Sequence, residues 1–172
     1  MLTLSLLRHA KSSWKNPTLP DRERPLATRG IADAPLMGRV MSERGIEPQL
    51  VLCSSARRTR DTLALVLLEL KVEPKVVYED SLYHAAPEEM LEMLHGVQPG
   101  ATRLMMVGHN PELQSFALDL VGHGPKLLRD RLKEKYPTAG LAVINFTSGL
   151  WSTVEINSGT LSLFLTPKEV RA

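Results

Sequence analysis

Arg8 and His9 form a cationic and nucleophilic pair where the apolar run Leu2-Thr3-Leu4-Ser5-Leu6-Leu7 ends, and Lys11, Ser12 and Ser13 follow directly. Two further polar clusters share that setting: Ser54-Ser55-Ala56-Arg57-Arg58-Thr59 after Leu50-Val51-Leu52-Cys53, and Gly108-His109-Asn110-Pro111 after Arg103-Leu104-Met105-Met106-Val107. Together they supply two histidines and two or three guanidinium groups without clustered carboxylates. Such a set suits a multiply charged oxyanion. Phosphate fits best, because arginine forks pair with two of its oxygens and a helix N-terminus adds backbone donors. An imidazole held in one tautomer can attack phosphorus at neutral pH, giving a phosphohistidine that water then hydrolyses. Arginines and a donating His109 would stabilise charge on the transferring oxygens. Each cluster alone has a plainer reading, as a strand-end pair, a solvated helix face or a satisfied loop histidine. Three clusters after three strands are what points to chemistry.

The elements needed to bring them together are legible. Short apolar runs ending in polar residues predict strands of one mostly parallel sheet. Between them, Leu63, Val66, Leu67 and Leu70 follow helical spacing, so the chain reads as right-handed β-α-β crossovers in a three-layer α/β/α sandwich. In such a sheet the carboxyl ends of parallel strands share one edge, where distant clusters converge. Asn110 and Pro111 predict an N-cap and first helical residue before Leu113, Phe116, Ala117 and Leu120, with Gly122 ending that helix. Between Gly30 and Gly45 the expected helix starts at Asp33, because Pro35 should break an interior turn; Thr28 to Ala32 then reads as irregular. A strand is expected around Val76 to Tyr78 and a helix from Pro87 to His95, terminated by Gly96. Leu141 to Phe146, Leu150 to Glu155 and Thr160 to Leu165, separated by Ser148-Gly149 and Asn157-Ser158-Gly159, predict antiparallel strands near the C-terminus. The stretch Gly122 to Gly140 reads as a partly helical excursion. Its cations, Lys126, Arg129, Arg131, Lys133 and Lys135, read first as a solvated face and second as a docking surface.

Composition narrows the class. The 172 residues, 43% hydrophobic and 23% charged, fit one soluble globular domain over residues 1–172. A net charge of +2 gives no argument for a nucleic-acid partner. The apolar N-terminal run is too short to span a bilayer and is interrupted by Arg8, so no signal peptide or membrane anchor is expected. Cys53 is the single cysteine, which excludes an internal disulfide and fits a cytoplasmic, reducing home. Cys53 and Arg58 are also one residue too close for a cysteine phosphatase loop. Asp21, Asp33, Asp61 and Asp80 are scattered without ligand spacing, and glycine-rich nucleotide motifs are absent, so neither metal nor cofactor is expected.

Leu7-Arg8-His9-Ala10-Lys11-Ser12, Ser54-x-x-x-Arg58-x-x-x-Thr62 and Val107-Gly108-His109-Asn110-Pro111 resemble the signatures of the histidine phosphatase superfamily, in the right order over residues 1 to 120. The Arg-His-Ala-Lys form is similar to its small SixA-type phosphohistidine phosphatase branch. The resemblance implies a phosphoglycerate-mutase-like fold, His9 as the phosphorylated nucleophile, and Arg8, Arg58 and His109 lining the phosphate pocket. It selects Arg58, four residues after Ser54, with Arg57 held in reserve. Lys11, Ser13 and Asn110 are expected to assist substrate binding. Asp21 to Gly30 looks like the family's loop before its first helix. Where mutase and acid-phosphatase branches place an acid for the leaving oxygen, this chain has Tyr83-His84. His84 as a substitute acid and His84 as a surface-loop residue both stay open. His95 is expected to serve its helix C-terminus and His123 to lie in a loop. A phosphohistidine-bearing protein is the favoured substrate, since imidazole leaves more readily than an alkoxide. A phosphatase for small phosphomonoesters, such as sugar phosphates or nucleotides, and a non-catalytic phosphate-binding module are the alternatives.

Overall fold

A computed structural model describes all 172 residues. Seven strands form one sheet: β1 (Leu2–Arg8), β2 (Leu50–Ser54), β3 (Lys75–Glu79), β4 (Arg103–Gly108), β5 (Val121–His123), β6 (Leu141–Phe146) and β7 (Gly159–Leu165), in the order β3-β2-β4-β1-β6-β7-β5. β3, β2, β4 and β1 run parallel, whereas β6 is antiparallel to both β1 and β7. The expected mixed sheet, with antiparallel strands near the C-terminus, is therefore present.

The central strands are mostly apolar because both faces are covered, β1 interrupting its leucines with Thr3 and a buried Ser5. In β1, Leu2, Leu4 and Leu6 enter one core while Leu7 enters the opposite one; in β4, Leu104 and Met106 oppose Met105 and Val107. The first core is closed by α3 (Pro87–His95), through Met90 and Leu94, and by α4 (Glu112–Leu120), through Leu113, Phe116 and Leu120. α5 (Lys126–Glu134) adds Leu132. The second core is closed by α1 (Thr28–Glu43), through Ala34, Met37 and Met41, and by α2 (Arg57–Leu67), through Leu63 and Val66. A short α6 (Pro167–Arg171) follows β7.

Several expectations are corrected. α1 begins at Thr28 and carries Pro35 inside it, so Asp33 is not its cap. Tertiary contact overrides the proline: Ala27 N–H donates to Lys11 O at 2.8 Å, and Gly30 packs on Lys11 so closely that a Cβ there would lie 2.2 Å from its carbonyl oxygen. Asp33 turns inward instead, fully buried beside Arg171 and Arg29. α2 ends at Leu67, leaving Leu70 beyond it but still packed on the second core. α4 starts at Glu112, one residue after Pro111, and the Asn110–Pro111 peptide is cis. The stretch from Leu150 to Glu155 is not a strand. Trp151 is buried in a 3-10 turn, Trp151–Thr153, where its indole N–H donates to Ala101 O at 2.5 Å. Gly122 and His123 belong to β5 rather than a loop; a Cβ on Gly122 would lie 2.0 Å from Asn157 O, so the bare backbone lets the Asn157 turn approach.

An alanine in a helix normally stabilises it relative to glycine. At Gly30 the sign reverses, because the added methyl meets backbone rather than a movable side chain. Gly30→Ala is expected to lower unfolding free energy by about 2 kcal/mol in urea titration; an unchanged or raised midpoint would show that this contact does not pin the helix.

Candidate active site

β4 lies between β2 and β1, so the carboxyl ends of these three parallel strands deliver their polar clusters to one edge. Arg8 is in register with Gly108, and His9 N–H donates to Gly108 O at 3.1 Å. His9 and His109 therefore stand side by side, with ring centroids 5.3 Å apart. On its other flank His9 O accepts from Ala139 N–H at 2.9 Å.

The His9 ring is 7% exposed, and its Nδ1 lies 2.7 Å from Ala10 O. A carbonyl only accepts, so Nδ1 carries the hydrogen and Nε2 keeps its lone pair. Burial, reinforced by Arg58, Arg8 and Arg24, pushes the His9 pKa down to about 4. The ring is neutral at pH 7, as a nucleophile must be. Ala10 is itself fixed: its N–H donates to Thr62 Oγ1 at 2.9 Å, and that hydroxyl donates to Arg58 O at 2.7 Å, which ties the end of β1 to α2.

Three side chains around His9 share one design. Arg8 Nη1 donates to Tyr136 O at 2.8 Å, while its Nε is buried without a partner. Arg58, 7% exposed, gives Nη1 to Asp21 O at 2.9 Å and Nη2 to Asp21 Oδ2 at 3.1 Å, and its Nε too is unpartnered. His109 is held through Nε2 by Ser54 Oγ at 2.7 Å, and its buried Nδ1 has no partner. Burial, then the nearby His9 and Arg58, push the His109 pKa down to about 3. In the neutral ring, a Ser54 hydroxyl donating to Nε2 leaves the hydrogen on Nδ1. Each residue is tethered at one or two atoms and has a buried nitrogen without a protein partner, an arrangement that can bind an anion.

Asp21, Arg24 and Tyr83 complete the surroundings; Tyr83 stands where the sequence has it, in the neighbourhood of the leaving-group acid of related branches, whereas Asp21 and Arg24 were not singled out for the site. Arg24, 7% exposed, donates from Nη1 to Ser12 Oγ at 2.8 Å and from Nε to Asp21 Oδ1 at 3.0 Å, beneath the exposed Trp14 ring. The Tyr83 hydroxyl donates to Asp21 Oδ2, and its ring meets His109 edge-on at 5.4 Å. The Tyr83 bond, followed by Arg24 and Arg58, holds the Asp21 carboxyl well below the usual carboxylate range. Burial and the Asp21 carboxylate push the Tyr83 phenol up. For Asp21 and Arg24 the sequence signal was the family-like loop Asp21 to Gly30; pairing of residues 11–13 with 25–27 is what carries Arg24 to the site.

Other expected residues lie elsewhere. Lys11 is exposed, and only its backbone is engaged. Ser13 Oγ accepts from Lys15 N–H and only the Ser13 carbonyl reaches Arg24, at 3.5 Å, whereas the Ser12 hydroxyl accepts from Arg24 at 2.8 Å. Asn110 is turned onto α4, where Oδ1 accepts from Gln114 N–H at 3.2 Å and Nδ2 donates to Gln114 Oε1 at 3.3 Å. Arg57 pairs with Asp61 on the outer face of α2, at 3.5 Å. His84 is exposed and packs on the Tyr83 ring at 4.1 Å. His95, in the last turn of α3, bonds Val154 O at 2.7 Å. Cys53 is fully buried, which pushes its thiol up to about 12 and makes it a poor nucleophile. No three His, Cys, Asp or Glu side chains gather closely enough to hold a metal ion.

The chain is similar to known proteins in sequence and fold. The family model for the histidine phosphatase superfamily (branch 1) matches residues 4–83. An uncharacterized protein of Mycobacterium tuberculosis is 35% identical over 164 residues, which cover 94% of this chain and all of the relative. A crystal structure of a candidate phosphohistidine phosphatase SixA from Agrobacterium tumefaciens superposes with a TM-score of 0.82 at 31% identity, over 96% of this chain and 98% of the other. A SixA protein histidine phosphatase complexed with tungstate shares the fold, with a TM-score of 0.78 at 19% identity over 98% and 99% of the two chains.

Both histidines titrate near 6.5 when unfolded but near 4 and 3 when folded, so between those limits the unfolded chain binds more protons. Their contribution is therefore fully present above pH 6.5 and lost as pH falls toward 4. Thermal unfolding of the phosphate-free protein should show a midpoint that drops over this window, and the double variant His9→Asn/His109→Asn should drop less. Equal slopes would contradict the burial of two neutral rings.

Proposed function

This chain belongs to the histidine phosphatase superfamily, and we propose that it is a metal-independent phosphatase, built as one domain over residues 1–172, that removes phosphoryl groups from phosphohistidine on a protein. The observation that carries the reading is the arrangement around His9: a free Nε2 lone pair beside the unused donors Arg8 Nε, Arg58 Nε and His109 Nδ1.

The steps follow from that arrangement. The phosphoryl oxygens take the three free donors, and the added negative charge offsets the cost of burying the arginines together. Nε2 of His9 attacks phosphorus; a new P–N bond forms as the bond to the leaving atom breaks. The hydrogen on Nδ1 stays bonded to Ala10 O, which steadies the ring as it becomes cationic. Water then attacks the same phosphorus from the vacated side, the P–N bond to His9 breaks, and phosphate leaves. The clamp serves both steps, since it binds the oxygens that change charge least in position and most in density.

A nitrogen leaving group is favoured over an alkoxide by the proton inventory at the mouth. Tyr83 is committed to Asp21 with its phenol pKa raised, and Asp21 is ionised, so neither offers a proton at neutral pH. A phosphohistidine already protonated on its other ring nitrogen needs none. The buried, unreactive Cys53 thiol is in keeping with a cytoplasmic setting.

His9→Ala should abolish turnover of a phosphorylated histidine protein, while Arg58→Ala should lower kcat/KM about 100-fold or more, with both variants folded and EDTA without effect on the wild type. Stopped-time phosphate release measures all three. Substantial turnover by His9→Ala, or wild-type activity confined to sugar phosphates and nucleotides, would overturn the reading.

A further inference from the structure

Asp21 is the one carboxylate tied into the clamp, and nothing in the phosphoryl transfer just described uses it. Its Oδ1 faces Arg24, its Oδ2 faces both Arg58 and Tyr83, and its side chain is still 47% exposed. It therefore borders the cleft and meets solvent, on the side where the Tyr83 ring stands edge-on to His109. This is the neighbourhood where related branches place a leaving-group acid and this chain has Tyr83-His84. The chain fills it instead with an ionised carboxylate supplied by the 3-10 turn Asp21–Glu23.

We propose that Asp21 is a specificity-determining residue that selects a positively charged leaving group, an N-phosphorylated imidazolium, and disfavours one that departs as an anion. The inference rests on the phosphatase reading above and deepens it. An imidazole phosphorylated on one nitrogen and protonated on the other presents a cation and an N–H donor, which a neighbouring carboxylate stabilises. When the P–N bond breaks, its electron pair remains on the departing nitrogen, and the proton already on the other nitrogen makes the product neutral imidazole. No proton has to be delivered, and charge balances with the phosphoryl group now on His9 Nε2. An ester departs as alkoxide or phenolate. Its growing negative charge faces Asp21 directly, with no acid to quench it.

A purely structural role makes a different demand. Were Asp21 only a brace for Arg24 and Arg58, its loss would weaken every phosphoryl substrate alike. The ratio of two substrates separates the readings. Phosphoimidazole and p-nitrophenyl phosphate serve as probes, because neither makes protein contacts beyond the cleft. In Asp21→Asn, which keeps the size and an acceptor oxygen, kcat/KM for phosphoimidazole relative to the ester should fall about fivefold or more, the worth of one partly exposed charge pair. Tyr83→Phe, which removes a hydroxyl but keeps the carboxylate, should hold the wild-type ratio within about twofold. A ratio unchanged in Asp21→Asn, with both substrates slowed equally, would overturn the assignment and leave the phosphatase reading standing. A ratio lost in Tyr83→Phe would overturn it in favour of the phenol. Wild-type protein that prefers the ester would remove both readings together.

Discussion

Arg8 Nε, Arg58 Nε and His109 Nδ1 are buried donors with nothing to bind, and an unsatisfied buried donor costs on the order of 1 to 3 kcal/mol. The fold tolerates that cost at one place only because the other ends of the same side chains are firmly held, by Tyr136 O, Asp21 and Ser54. Those tethers in turn require the parallel register of β1, β4 and β2, the Thr62 link between Ala10 and Arg58, and the segment before β6 that closes on His9. Under the proposed function, a phosphoryl group takes all three donors at once.

The same logic accounts for the low pKa values of the two histidines. Burial first, and then the neighbouring cations, drives protons off the rings, which leaves both imidazoles neutral at pH 7. An incoming phosphoryl dianion reverses that field. The site is therefore poised for a substrate that brings negative charge with it, and Asp21, paired outward with Arg24 and Tyr83, compensates part of the positive charge without entering the reaction.

Much of this was legible in the sequence where burial dictates pattern. β1, β2 and β4 are covered on both faces, so they read as short, predominantly apolar runs, and the residues just past them lie on one edge. α3 was equally plain, between Pro87 and Gly96. Pro35 misled because a local helix rule yielded to the docking of Gly30 on Lys11. Asp21 and Arg24 were missed as parts of the site because loops carry no periodicity, and Asp21 finds Arg58 and Tyr83 across 37 and 62 residues. The side chains of Ser13 and Asn110 are engaged locally, while that of Lys11 is exposed. Polar side chains near a site are free to bond the nearest backbone instead, as Ser13 does with Lys15 and Asn110 with Gln114.

The central claim is that a covalent bond forms between phosphorus and His9 Nε2. Rapid acid-free quenching of the protein mixed with a radiolabelled N-phosphorylated histidine protein, followed by peptide mapping, tests it most directly. Label is expected on the peptide that contains His9, stable in alkali and lost in acid, appearing before free phosphate. Label on any other residue, or phosphate released with none ever bound to the protein, would contradict it.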